Sequence, residues 1–188
     1  MKEPSERRRA PGQAAMRHTR LLCLAAFLCA LSFLLGYIAK TVQGTGPIRF
    51  TLEGLPIVLA GILLGPVYGA LSGLAADLLS CLFAGQAPLP LIAVGAAAVG
   101  LVPGIISRFL PLREGKPSYK RLSLHFLSAH LVGSILLKTA ALAHLIGPLP
   151  VLLLRIPLYI AVSLIEAGLL SLLLGSSAVR RELERLLK

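Results

Sequence analysis

LEGLPIVLAGILLGPVYGALSGLAADLL (52–79) contains two apolar runs hinged on Gly65-Pro66, with a carboxylate near each end, Glu53 and Asp77. The first run, 54–64, predicts a helix of about 17 Å, too short to cross a hydrocarbon core of roughly 30 Å. The segment before it has to complete the crossing. Irregular backbone is tolerated at that depth only where it is buried in protein or lines a cavity, so residues 44–56 are expected to wall a cavity. The second run, 66–84, is long enough to span, and it puts Asp77 about 16 Å along its axis, near mid-membrane. A carboxylate there must be paired, protonated or wet. Gly61, Gly65, Gly69 and Gly73 recur every four residues across the hinge, a spacing that lets helix backbones approach closely in lipid.

Working outward, four longer apolar segments appear: 18–40, 90–110, 122–146 and 151–175. With a mean hydropathy of +0.82 and 14% charged residues in 188, the chain reads as an all-α membrane protein of six transmembrane helices. Residues 1–17 (MKEPSERRRAPGQAAMR) are basic and broken by prolines, and read as a disordered tail. Residues 18–178 form the membrane domain, and 179–188 a basic amphipathic tail. The apolar run after Arg20 is about 19 residues long, beyond a signal-peptide core, and is expected to be a retained first helix. Cys23, Cys29 and Cys81 lie inside apolar runs and are expected to pack rather than to pair or ligate.

Fifteen of the 19 Lys and Arg residues fall in the amino-terminal tail, the loop around 108–121 and the carboxy-terminal tail. Basic loops resist translocation, and six helices with both termini cytoplasmic is the count that leaves all three stretches on one side. The other four, Lys40, Arg49, Lys138 and Arg155, are then expected near the external face. Cations held in apolar segments need a negative partner, and Arg suits bidentate carboxylate recognition. These four, with Glu53 and Asp77 as acceptors, are the candidate ligand residues for an anionic small molecule. Snorkelling of the cations to the interface, and internal ion pairs for the two carboxylates, are the structural alternatives. His130 and His144 are expected to be packing or interface residues, and Glu166 a packing or partner contact in the cytoplasmic half.

A net charge of +11 does not point to nucleic acid here, because the cations flank membrane segments and no soluble domain presents them. No phosphate-binding glycine loop, H-E-x-x-H, close Cys/His cluster or G-x-S-x-G appears, which disfavours an enzyme and leaves no metal or cofactor implied.

The 52–79 stretch, with the A-x-x-x-A of Ala26 and Ala30 in the first helix and weaker support from LVPGIISR (101–108) and LLLRIP (152–157), resembles the substrate-binding S component of energy-coupling factor (ECF) vitamin transporters, most closely the folate type. It departs from that type where AGQAPLPLIAVGAAAVG (84–100) replaces a Gly-Phe-rich external loop. The resemblance implies capture of a vitamin at the external face of a prokaryotic cell membrane. It also implies partnership with a membrane scaffold (T) subunit and two ATPase subunits, and inward delivery by reorientation, with Ala26 and Ala30 as the scaffold-docking face. Folate is the expected ligand. Another anionic vitamin such as pantothenate is the alternative, and a self-contained secondary transporter is the reading from another class.

Overall fold

A computed structural model describes residues 11–43, 50–111, 118–146 and 149–177, with 179, 181 and 185 beyond them. The described residues form helices and connecting turns, with no strand. They are α1 (Pro11–Gln43), α2 (Gly54–Leu64), α3 (Pro66–Phe83), α4 (Pro90–Phe109), α5 and α6 (Leu149–Gly175). Helix α5 is composite: α-helical over Tyr119–Ala129, a π-helix over His130–Lys138, and α-helical again over Thr139–Ile146. Five helical stretches are long and apolar enough to cross a membrane, and α2 is a shorter apolar helix beside them. Large apolar side chains such as Phe27, Val67, Phe83, Phe109, Leu136 and Leu172 stand exposed on the outside of the bundle, as lipid contact requires.

Two boundaries differ from the sequence reading. Helical backbone begins at Pro11, not near residue 18; proline at the first helical position forfeits no hydrogen bond, and Gln13, Ala14, Ala15, Met16 and Arg17 are good helix formers. The tail expected over 1–17 therefore overlaps α1, and its first ten residues lie outside the described ones. Helix α5 starts at Tyr119, three residues before the expected 122, because hydropathy marks the bilayer and not the helix end.

The glycine ladder packs both within the α2–α3 hairpin, where Gly69 approaches the Gly61 backbone, and against α4. Gly65 is the turn itself, with φ +99° and open space where a side chain would be; only glycine takes that conformation without strain. Gly61, Gly69 and Gly73 instead meet α4, at the Gly100 and Ala96 carbonyls. A Cβ added to Gly69 would lie 2.5 Å from the Gly100 carbonyl oxygen. Because that obstacle is backbone, Gly69→Ala should destabilise the protein by about 1–3 kcal/mol through overpacking. A melting midpoint in detergent unchanged from wild type would contradict the backbone contact.

Beneath this seam Val58, Val99, Leu122, Phe126, Ala167 and Leu170 form a buried apolar core shared by α2, α4, α5 and α6. Helix α1 is fastened to the segment before α2 and to α3 by hydroxyl groups: Ser32 donates to the Glu53 carbonyl at 2.8 Å and Ser72 to the Ala25 carbonyl at 3.5 Å.

Candidate ligand-binding site

The segment 50–53, which leads into α2, has no helix of its own, and its first residue is held by a side chain. The Gln43 amide at the end of α1 donates to the Phe50 carbonyl at 2.6 Å and accepts from the Phe50 N–H at 2.8 Å. This brings Thr51 and Glu53 onto the wall of a cavity of about 180 Å³. Lys40, Glu53, Asp77, Lys138 and Arg155 all line it, so five of the six candidate ligand residues, drawn from α1, α3, α5, α6 and the segment before α2, meet at one place. Arg49 lies outside the described residues. Gln86, Leu89, Ile92, Leu142 and Tyr159 add further wall.

Among the described residues of this wall, three cations stand against two carboxylates, a formal balance of one positive charge. Both carboxylates are paired. Lys40 Nζ lies 3.3 Å from Asp77 Oδ1, with both side chains 7% exposed; the ammonium also donates to the Ser80 hydroxyl and approaches Cys81 Sγ at 3.2 Å. Snorkelling, the alternative for Lys40, does not describe this buried side chain. Asp77 Oδ2 is buried without a hydrogen-bond partner among the described residues. Lys138 Nζ lies 3.6 Å from Glu53 Oε1, a longer and more exposed pair.

Two glycines make room for that second pair. A Cβ on Gly36 would lie 2.5 Å from Glu53 Oε2, and one on Gly95 would lie 2.6 Å from Lys138 Cγ. Neither stands out in the sequence, because close approach is a property of helices that meet only in the fold.

Arg155 is buried, at 4% exposure. Its Nε donates to Thr139 Oγ1 at 2.8 Å, and its Nη2 to the Ser134 carbonyl and the Tyr159 hydroxyl, both at 3.3 Å. The guanidinium also lies 4.9 Å from the centre of the Tyr159 ring, a cation–π distance. The Ser134 carbonyl accepts from the Thr139 hydroxyl as well, at 3.0 Å. It belongs to the π-helical stretch, where hydrogen bonds skip to the fifth residue; such stretches concentrate at functional sites.

Four residues at or beside the cavity were not among those expected. Ser134 and Thr139 orient the guanidinium, Tyr159 carries it, and His130 stacks on Tyr159 with ring centres 5.6 Å apart. A usable signal was present: His130, Ser134 and Lys138 recur every four residues on an otherwise apolar helix, as do Arg155, Tyr159 and Ser163. Polar groups at that spacing share one face. His130 and Glu166, expected as packing residues, form a buried pair with Nε2 2.7 Å from Oε2. Ala26 and Ala30 are exposed on α1, while Ala25, Leu28 and Ser32 face inward. Cys23, Cys29 and Cys81 are free thiols.

The helices, the polar cavity and the family comparison agree. A family model for the ECF transporter substrate-specific component matches residues 20–183. The chain belongs to that family. It is therefore a membrane substrate-binding subunit of an ECF transporter, a class that works with scaffold and ATPase modules and binds small molecules. Comparison with curated proteins returns no match. In this S component the match takes in every described residue that lines the cavity.

Proposed function

We propose that this S component captures an anionic vitamin at the external face of a prokaryotic cell membrane and delivers it inward with a scaffold subunit and two ATPase subunits. The observation that carries this reading is the convergence of Lys40, Lys138 and Arg155 on one cavity whose described wall holds two carboxylates. A ligand carboxylate neutralises the remaining positive charge. It would replace Glu53 at Lys138, the looser of the two pairs, and meet the Arg155 fork with charge-assisted hydrogen bonds. Asp77 Oδ2 is an acceptor for a ligand N–H or O–H.

Folate and pantothenate place different demands on this cavity. At about 180 Å³ it is smaller than the roughly 300–1,000 Å³ of pockets that enclose drug-sized ligands. Tyr159, the one aromatic ring among the described residues of the wall, is already in contact with His130 and Arg155. Both features support a small, flexible acid such as pantothenate over folate. Six crossings with both termini cytoplasmic complete the reading: α2 and the segment before it make one crossing together, and the three basic stretches then share a side.

Docking to the scaffold is assigned to Ala26 and Ala30, whose exposure on α1 supports an external partner rather than packing within the bundle. Reconstituted alone in liposomes, the protein should bind pantothenate or folate but not concentrate it. With scaffold and ATPase subunits added, uptake should require ATP, and Ala30→Trp should cut uptake by at least about tenfold at unchanged ligand affinity, since the ring blocks close helix approach. Gradient-driven accumulation by this chain alone would overturn the subunit reading in favour of a secondary transporter.

A further inference from the structure

His130 and Glu166 form a buried pair outside the ligand-cavity wall, an ion pair only when the imidazole is protonated. Glu166 is fully buried at 0% exposure, and its Oε1 has no hydrogen-bond partner among the described residues. That oxygen faces the amino end of α2, 3.0 Å from where a Cβ on Gly54 would sit. His130 Nδ1 lies 3.0 Å from Ser134 Oγ. Beside the pair is a second cavity of about 10 Å³, room for about one water. Thr51, Glu53, Lys138 and Tyr159 are walls of both cavities, so the pair is separated from the ligand cavity by one water-sized step.

The pair has two low-charge forms. With one extra proton it is neutral, as imidazolium–carboxylate or imidazole–carboxylic acid; without it, the charge is −1. The −1 form needs nearby positive charge, since an isolated buried carboxylate is costly. Two sources offset it: the partial positive charge at the α2 amino end and the net positive charge of the described cavity wall. An anion entering the cavity cancels the second source.

We propose that His130 and Glu166 form a proton-binding site that loads one proton when the anionic ligand binds, so that anion and proton are taken up together. The proposal rests on the anion-capture reading above. The proton comes from external solvent through the two cavities and comes to rest in the Nε2···Oε2 hydrogen bond; no other bond forms or breaks. The titratable groups around the small cavity beside the pair are Glu53 ahead of α2, Lys138 on α5 and Tyr159 on α6. Lys40 on α1, Asp77 on α3 and Arg155 on α6 line the ligand cavity beyond it, and α4 contributes the apolar Val99. Tyr159 joins the sites physically, with His130 against its ring and Arg155 against the same ring.

Calorimetric titration of pantothenate and of folate into the full-length protein, repeated in buffers of different ionisation enthalpy, counts the protons taken up. The expected count is close to one per vitamin bound, with affinity falling up to about tenfold per pH unit wherever a whole proton is taken up. In Glu166→Gln the amide mimics the protonated acid, so uptake should vanish and affinity should stay at its low-pH level. Binding without proton uptake in wild type, or equal uptake in wild type and variant, overturns the proposal. If neither vitamin binds, pantothenate and folate are excluded as the captured anion, and the proton site is judged by infrared difference spectroscopy of the ligand-free protein. A carboxylic-acid or imidazolium band that grows as pH falls, and is missing from both Glu166→Gln and His130→Gln, supports the site; its absence from wild type overturns it.

Discussion

Arg155→Ala should weaken binding of the anionic ligand by about 2–4 kcal/mol, roughly 30- to 1,000-fold. The expectation follows from where the guanidinium sits. It is buried at 4% exposure and held by Thr139, the Ser134 carbonyl and Tyr159, so its position is set before a ligand arrives and little ordering remains to be done on binding. Arg155→Lys keeps the charge but loses the planar fork, and should fall between wild type and alanine. Tyr159→Phe removes one hydrogen bond and keeps the ring, and should cost no more than about 1 kcal/mol. Calorimetric titration with pantothenate and folate gives all three values, and melting in detergent separates lost binding from lost fold. Arg155→Ala within a few tenths of a kcal/mol of wild type would remove Arg155 from the ligand site.

Asp77→Asn should be the most damaging single change to stability, at about 3–5 kcal/mol, because it strands the Lys40 ammonium in a buried site. The two side chains are each 7% exposed, and the remaining partners of Lys40, Ser80 and Cys81, are neutral. Removing both charges together, in Lys40→Met with Asp77→Leu, should recover most of that loss, since a buried pair contributes far less net than its broken half costs. The coupling between the two positions, measured by a double-mutant cycle on unfolding in mixed detergent, should be at least about 2 kcal/mol. Additive effects would mean that the 3.3 Å contact carries no energetic weight.

Much of this architecture was legible because the bilayer imposes simple rules on sequence. Stretches of about 20 apolar residues mark spans, which identified the long helices. The shortness of 54–64 pointed to the broken segment that does wall the cavity, through Thr51 and Glu53. Isolated charges in apolar runs pointed to Lys40, Asp77, Lys138 and Arg155, because hydrocarbon makes a buried charge too costly to be incidental. How the charges pair was not legible. Lys40 and Asp77 are 37 residues apart, and His130 and Glu166 are 36 apart; pairing at that separation depends on how helices cross. The π-helical stretch of α5 was equally hidden, since a shift in hydrogen-bond register is selected by contacts with α4 and α6 and not by local propensity. Gly36 and Gly95 escaped notice for a related reason: each clears space for a side chain arriving from another segment.

Native mass spectrometry of the full-length protein, released gently from detergent, tests the central claim most directly. The account predicts that wild type carries one small anionic molecule, and that Arg155→Ala, folded to the same melting profile, does not. A wild-type protein that carries only a neutral or cationic small molecule, or a variant that retains the same anion at the same occupancy, would contradict it.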